Sequence, residues 1–182
     1  MTLLTDTKNE TTKQTIDDWV KRAEDAHHIV RKYALAGMAV GLIPLPLVDL
    51  AAVTAVQLKM AHSISEQYQV PFSRNLASSI IASLLSSVVA TSAALSLSSV
   101  VKIVPLIGSV SGAATMVVLS GASTYAIGKV FIQHFESGGT FFDFDPEKMR
   151  ELFRVFYEEG KHFVTAQQAV GKTTPTASTA EG

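Results

Sequence analysis

Gly41-Leu42-Ile43-Pro44-Leu45-Pro46-Leu47 separates two helical stretches and decides how this chain is read. Each proline lacks an amide donor and disfavours helix in the residue before it, so no helix passes through. Upstream, a helix is expected from about Thr15 to about Val40, with charges and His27–His28 in its first half and apolar residues in its second. Downstream, a second helix is expected over about Val48–Tyr68, with Asp49 in its first turn, where a carboxylate suits the helix dipole. A similar break, Ile103-Val-Pro105-Leu-Ile-Gly108-Ser109, separates a third helix (about Arg74–Val101) from a fourth (about Val110–Phe135). Superposing Pro44 on Pro105 also brings Leu45 onto Leu106, Ala52 onto Ala113, Thr54 onto Thr115, Val56 onto Val117, Leu58 onto Leu119 and Ala61 onto Ala122. The expected fold is therefore all-α: two helix–Pro turn–helix hairpins forming an internal repeat.

Outward from the turns, charge disappears. Residues 1–32 and 129–182 carry nearly all the ionic groups, whereas Tyr33–Gly128 holds only Asp49, Lys59, Glu66, Arg74 and Lys102. Asn75–Val101 and Ile103–Gly128 are uncharged, and at about 1.5 Å per residue either is long enough for a hydrocarbon core of about 30 Å. The first is serine-rich, which a membrane helix tolerates because a hydroxyl can bond to a carbonyl one turn earlier. Two uncharged spans in succession point to a membrane-embedded or membrane-associated protein, with membrane lipid as a partner. The polar, Thr-rich start has no apolar h-region, so no cleaved signal is expected. Arg31, Lys32, Arg74 and Lys129 flank the spans against a lone Lys102 at the hairpin tip, which favours both termini in the cytoplasm.

Four segments are expected: a disordered tail (1–14), a helical domain (15–135), a linker with a short amphipathic C-terminal helix (136–170) and a second disordered tail (171–182). Asp145-Pro146-Glu147 reads as an N-cap, a proline at the first helical position and a dipole-compatible acid. Met149, Leu152, Phe153 and Phe156 then make an apolar face on a helix ending near Gly160.

Small residues recur at helical spacing. Gly37 and Gly41 form one Gly-x-x-x-Gly pair, and Gly108 and Gly112 another, continued by Ser120, Thr124 and Gly128; Ser79, Ser83 and Ser87 make a row on the third helix. Such rows let helix backbones approach closely, so these residues are expected to pack helices within the chain or between copies of a homo-oligomer.

Catalytic chemistry finds little to work with. A net charge of −1 gives no drive toward nucleic acid, and the absence of cysteine excludes disulfides, thiolate metal sites and cysteine nucleophiles. Ala166-Gln-Gln-Ala-Val-Gly171-Lys172-Thr173 matches a relaxed phosphate-loop pattern, but no strand precedes it and Pro175 follows at once. Glu24-Asp-Ala-His27 has the Glu-x-x-His spacing of di-iron bundles but no second copy. No catalytic residue, metal ligand or cofactor is assigned. Asp49, the only acid between Tyr33 and Met60, and the turn residues Pro44, Pro46 and Pro105 are the candidates for a functional role.

The turn Gly41-Leu-Ile-Pro-x-Pro-x-x-Asp49 leading into Gln57-Leu-Lys59-Met60, with Tyr68-Gln-Val-Pro-Phe72 after it, resembles the YcjF-type domain of unknown function over about residues 20–135. The resemblance implies a bacterial helical module associated with the inner membrane, often fused to or encoded beside a small P-loop GTPase. This chain carries no GTPase domain, so a GTPase partner would act in trans. The expected function is a non-enzymatic, self-associating anchor or scaffold. The alternative is a soluble helical bundle enclosing an apolar ligand such as a lipid.

Overall fold

Helix ends in this chain follow its prolines, glycines and caps. The structure, a computed structural model, describes residues 2–42, 48–95 and 110–173, with side chains over 12–42, 51–87 and 115–171. Among the described residues there are five α-helices and no strand: α1 Thr2–Val40, α2 Val48–Gln67, α3 Arg74–Leu95, α4 Val110–Glu136 and α5 Pro146–Thr173. Pro44, Pro46, Pro105 and Gly108 lie outside the described residues.

Two helix ends use the same closure with different residues. After α4, Gly138 takes φ +83°, its amide donates to Phe135 O (2.9 Å), and Gly139 N donates to His134 O (3.0 Å). After α2, Gln69 takes the left-handed φ of 57°, Gln69 N reaches Glu66 O (3.1 Å) and Val70 N reaches Ser65 O (2.8 Å). This reversal satisfies carbonyls the helix leaves over, and glycine adopts it without steric cost. At the start of α5, Asp145 Oδ1 accepts from Glu147 N (3.0 Å) and Lys148 N (3.4 Å), as an N-cap does.

Two boundaries differ from the sequence reading. α1 begins at Thr2, where a disordered tail to residue 14 was expected. No proline or glycine occurs before Gly37, so a helix nucleated further along can propagate back through the polar start. The C-terminal helix is not short: it runs on from Gly160 to Thr173. Gly160 is a contact point rather than a stop. A Cβ there would lie 2.8 Å from Ala122 O and 3.0 Å from Ala122 Cα, so its bare backbone lets α5 lie against α4.

Contacts set the directions. Tyr33 meets Ser63 (3.2 Å) and Gln67 reaches Arg22 O (3.5 Å), so α1 and α2 are antiparallel. Gly41 lies against Met116 and Val117, and Gly128 against Val30, so α4 is antiparallel to α1. α4 is the central helix: it packs against α5, α1 and α2, and every residue from Gly121 to Gly128 is buried. α3 lies to one side, with α5 and α2 as its main neighbours among the described residues.

The bundle is consequently polarised along its axis. At one end the charged parts of α1, the end of α2 and the 137–145 loop surround an aromatic cluster. Phe131, Phe141 and Phe153 are fully buried, each worth roughly 1.5–3 kcal/mol of apolar burial. Phe131–Phe141, Phe135–Phe141 and Phe72–Phe141 meet edge-on at 5.4, 5.2 and 5.6 Å, the geometry that ring quadrupoles favour. The segment after α4 is part of this core: Phe141 and Phe144 are buried, and the His134 ring lies directly over Gly139 and bonds Thr140 O (2.9 Å). At the other end, the uncharged parts of α1, α2 and α4 come together.

Candidate functional site

The uncharged end is built from small residues on three helices. Facing α4, Gly37 has room for no side chain: a Cβ would lie 2.9 Å from Thr124 Oγ1 and 3.2 Å from Ser120 O. At Gly41 a Cβ would lie 2.9 Å from Met116 O and 3.0 Å from Val117 Cα. Close approach of this kind gains dispersion contacts that do not require water exclusion, which suits helices that meet lipid.

A polar seam runs through the same interface. Ser120 Oγ donates to Gly37 O (2.8 Å), joining α4 to α1. Thr124 Oγ1 and Ser123 Oγ donate back to Ser120 O (2.8 and 3.1 Å). Gln57 on α2 is fully buried, and its Nε2 lies 3.4 Å from both Ser123 Oγ and Thr124 Oγ1. Its Oε1 has no hydrogen-bond partner among the described residues, an arrangement that costs free energy. Gln57 stood in the sequence as part of the turn-to-helix signature. Nothing in the local pattern marked it as the residue that links α2 to α4.

Other sequence candidates scatter. Ser87 is buried and donates to Leu84 O (2.6 Å), Ser83 is half-buried and Ser79 is exposed, so the α3 row does not form one buried face. Asp49 is the second residue of α2 and Gly112 the third of α4, with both side chains outside the described residues. The phosphate-loop look-alike at 166–173 is α-helical throughout, so it forms no loop to cradle a phosphate. Among the described residues, no three His, Asp or Glu gather closely enough to hold a metal ion.

On the outside of this end, Leu35, Leu42, Met116 and Leu119 are exposed. Beside them a groove of about 400 Å³ opens to the surface between α4 and α5, lined by Thr115, Val118 and Leu119 of α4 and by Tyr157, Lys161 and Gln168 of α5, so α5 brings charge to this side of the bundle. Among the described residues, Thr115–Glu136 of α4 is the one stretch long and apolar enough to cross a membrane, and 72% of its most apolar window is buried in the bundle. Most of that window therefore faces other helices of the bundle. α5 covers α4 and turns Glu151, Arg154 and Glu158 outward, so the bundle in this arrangement cannot place the whole of α4 in hydrocarbon.

A family model described as a domain of unknown function (DUF697) matches residues 6–162. The chain is 40% identical over 152 residues to magnetosome membrane protein 22 of Magnetospirillum gryphiswaldense, covering 83% of this chain and 78% of that protein. No solved structure matches.

Proposed function

Because the chain belongs to the DUF697 family of domains of unknown function, we propose that it is a non-enzymatic, membrane-associated helical anchor. The observation that carries this reading is the polarity of the bundle. Charged groups crowd one end, while the other has an uncharged small-residue seam and exposed Leu35, Leu42, Met116 and Leu119. The name of the magnetosome membrane relative supports the same location class. In this reading the uncharged end enters the lipid of the bacterial inner membrane, and the charged end, with both termini, stays in the cytoplasm. The charged end offers the scaffold surface: the first half of α1, where Ile16, Trp19 and Val20 are exposed, and Phe142 on the 137–145 loop. Self-association, and a GTPase acting in trans at that surface, belong to the same proposal.

Alkaline carbonate washing of cell membranes tests the anchor. The protein is expected to stay with the membrane, and complete release would eliminate the embedded form. Leu42→Asp paired with Met116→Asp should shift it to the soluble fraction, since a carboxylate at hydrocarbon depth costs roughly 2.5–3.5 kcal/mol. The same two substitutions leaving membrane retention unchanged would show that this end is not the one in contact with lipid.

A further inference from the structure

Where α1, α4 and α5 meet, the surface is indented by a notch of about 100 Å³ lined by His27, Val30, Arg31, Tyr125, Lys129 and Glu159. Its charges are unbalanced. The Glu159 carboxylate is engaged by the Tyr125 hydroxyl at 2.5 Å. Among the described residues, neither Arg31 nor Lys129 lies in ion-pair contact with a carboxylate, and the Lys129 ammonium rests 5.2 Å from the centre of the Phe156 ring. Burial and then the neighbouring Lys129 lower the His27 pKa; Arg31 acts the same way, against Glu136 and Glu159. Two fixed cations and an imidazole thus converge on a small concavity that holds one carboxylate, which leaves an excess of positive charge.

Position adds a second argument. Arg31 and Lys32 are the last charges on α1 before the Tyr33–Gly128 stretch, and Lys129 is the first charge after it. On α1 and α4 the notch therefore lies where the charged stretch gives way to the uncharged one, the depth at which a bilayer places its phosphates if those uncharged stretches are in lipid. Arginine and lysine suit a tetrahedral oxyanion, arginine by paired N–H donors and lysine as a compact charge.

We propose that this notch binds a phosphate group, with Arg31 and Lys129 as its charge partners and His27 at its edge. The phosphate belongs to an anionic phospholipid headgroup or to a free phosphate compound. The lipid source rests on the membrane reading above; the site itself does not.

The full chain is tested by sedimentation with two kinds of vesicle: pure phosphatidylcholine, and an equal mixture of phosphatidylcholine and phosphatidylglycerol. In parallel, inorganic phosphate is titrated while the His27 imidazole resonances are followed by NMR. Arg31→Gln with Lys129→Gln should weaken binding to mixed vesicles roughly thirtyfold, from about 1 kcal/mol per basic residue near an anionic surface. Arg31→Gln alone, at an exposed position, serves should the double variant melt early. Lys13→Gln with Lys21→Gln removes equal charge from the exposed start of α1 and should cost far less. An equal loss in that control would mean diffuse attraction and overturn the site. Phosphate moving His27 without any vesicle binding would keep the site, assign it to free phosphate and remove the membrane reading. Unchanged vesicle binding in the Arg31 and Lys129 variants, with His27 unmoved by phosphate, would overturn the site and leave the membrane reading standing.

Discussion

At the charged end of the bundle, phenylalanine rings meet one another at 5.2–5.8 Å. At the uncharged end, glycines bring main chains within reach of each other and hydroxyls bond to carbonyls. These are two solutions to helix packing. Bulky rings exploit the expulsion of water, so they stabilise an end that water surrounds. Close backbone contact and internally satisfied hydroxyls hold whether the outside is water or hydrocarbon. Packing style therefore differs between the two ends of the molecule.

The aromatic end can be broken most severely. Phe131→Ala removes the ring that touches Phe135, Phe141 and Phe144, and should cost about 3–5 kcal/mol by denaturant melt, transfer and cavity terms together. At the other end, Gly41→Ala drives a methyl against Met116 O and Val117 Cα, backbone atoms that cannot swing aside. A loss of about 1–3 kcal/mol is expected, and it should persist in mild detergent. A penalty that vanished in detergent would make the seam a water-driven contact like the other end. The smallest effect sharpens the contrast. Gln57→Met replaces a buried amide whose two bonds are long and whose Oε1 is unpaired, so stability should change by no more than about 1 kcal/mol in either direction. A much larger loss would mean that the amide holds α2 to α4 by more than packing.

Much of the fold was legible locally. The Asp145 cap, the start of α3 and the ends of α2 and α4 are written in neighbouring residues, because short-range sterics and orphaned amides decide them. Gly160 shows where that logic stops. In a sequence it carries the same signal as a helix terminator, and only the proximity of Ala122 reveals that its missing side chain serves a neighbouring helix. The segment after α4 shows the same limit: the Glu136–Thr140 run reads as a linker, while Gly139 lies under the His134 ring and the adjoining Phe141 and Phe144 are buried in the core. Of the candidate site, the glycine and serine spacing was visible, but the partner across each contact was not. Gln57 and the Arg31–Lys129 notch are products of the tertiary arrangement, with no local period to expose them. Uncharged length likewise cannot distinguish a lipid-facing span from the innermost helix of a bundle, and α4 is the latter over most of its apolar window.

The order of the chain gives the burial of α4 a consequence in time. Its cover comes partly from α1 and α2, made before it, and partly from α5, whose last described turn ends at Thr173. At roughly 5–20 residues per second, the ribosome finishes α4 some seconds before α5 is complete. During that interval the face of α4 that α5 will cover is bare, so the bundle closes only when the last of its helices arrives.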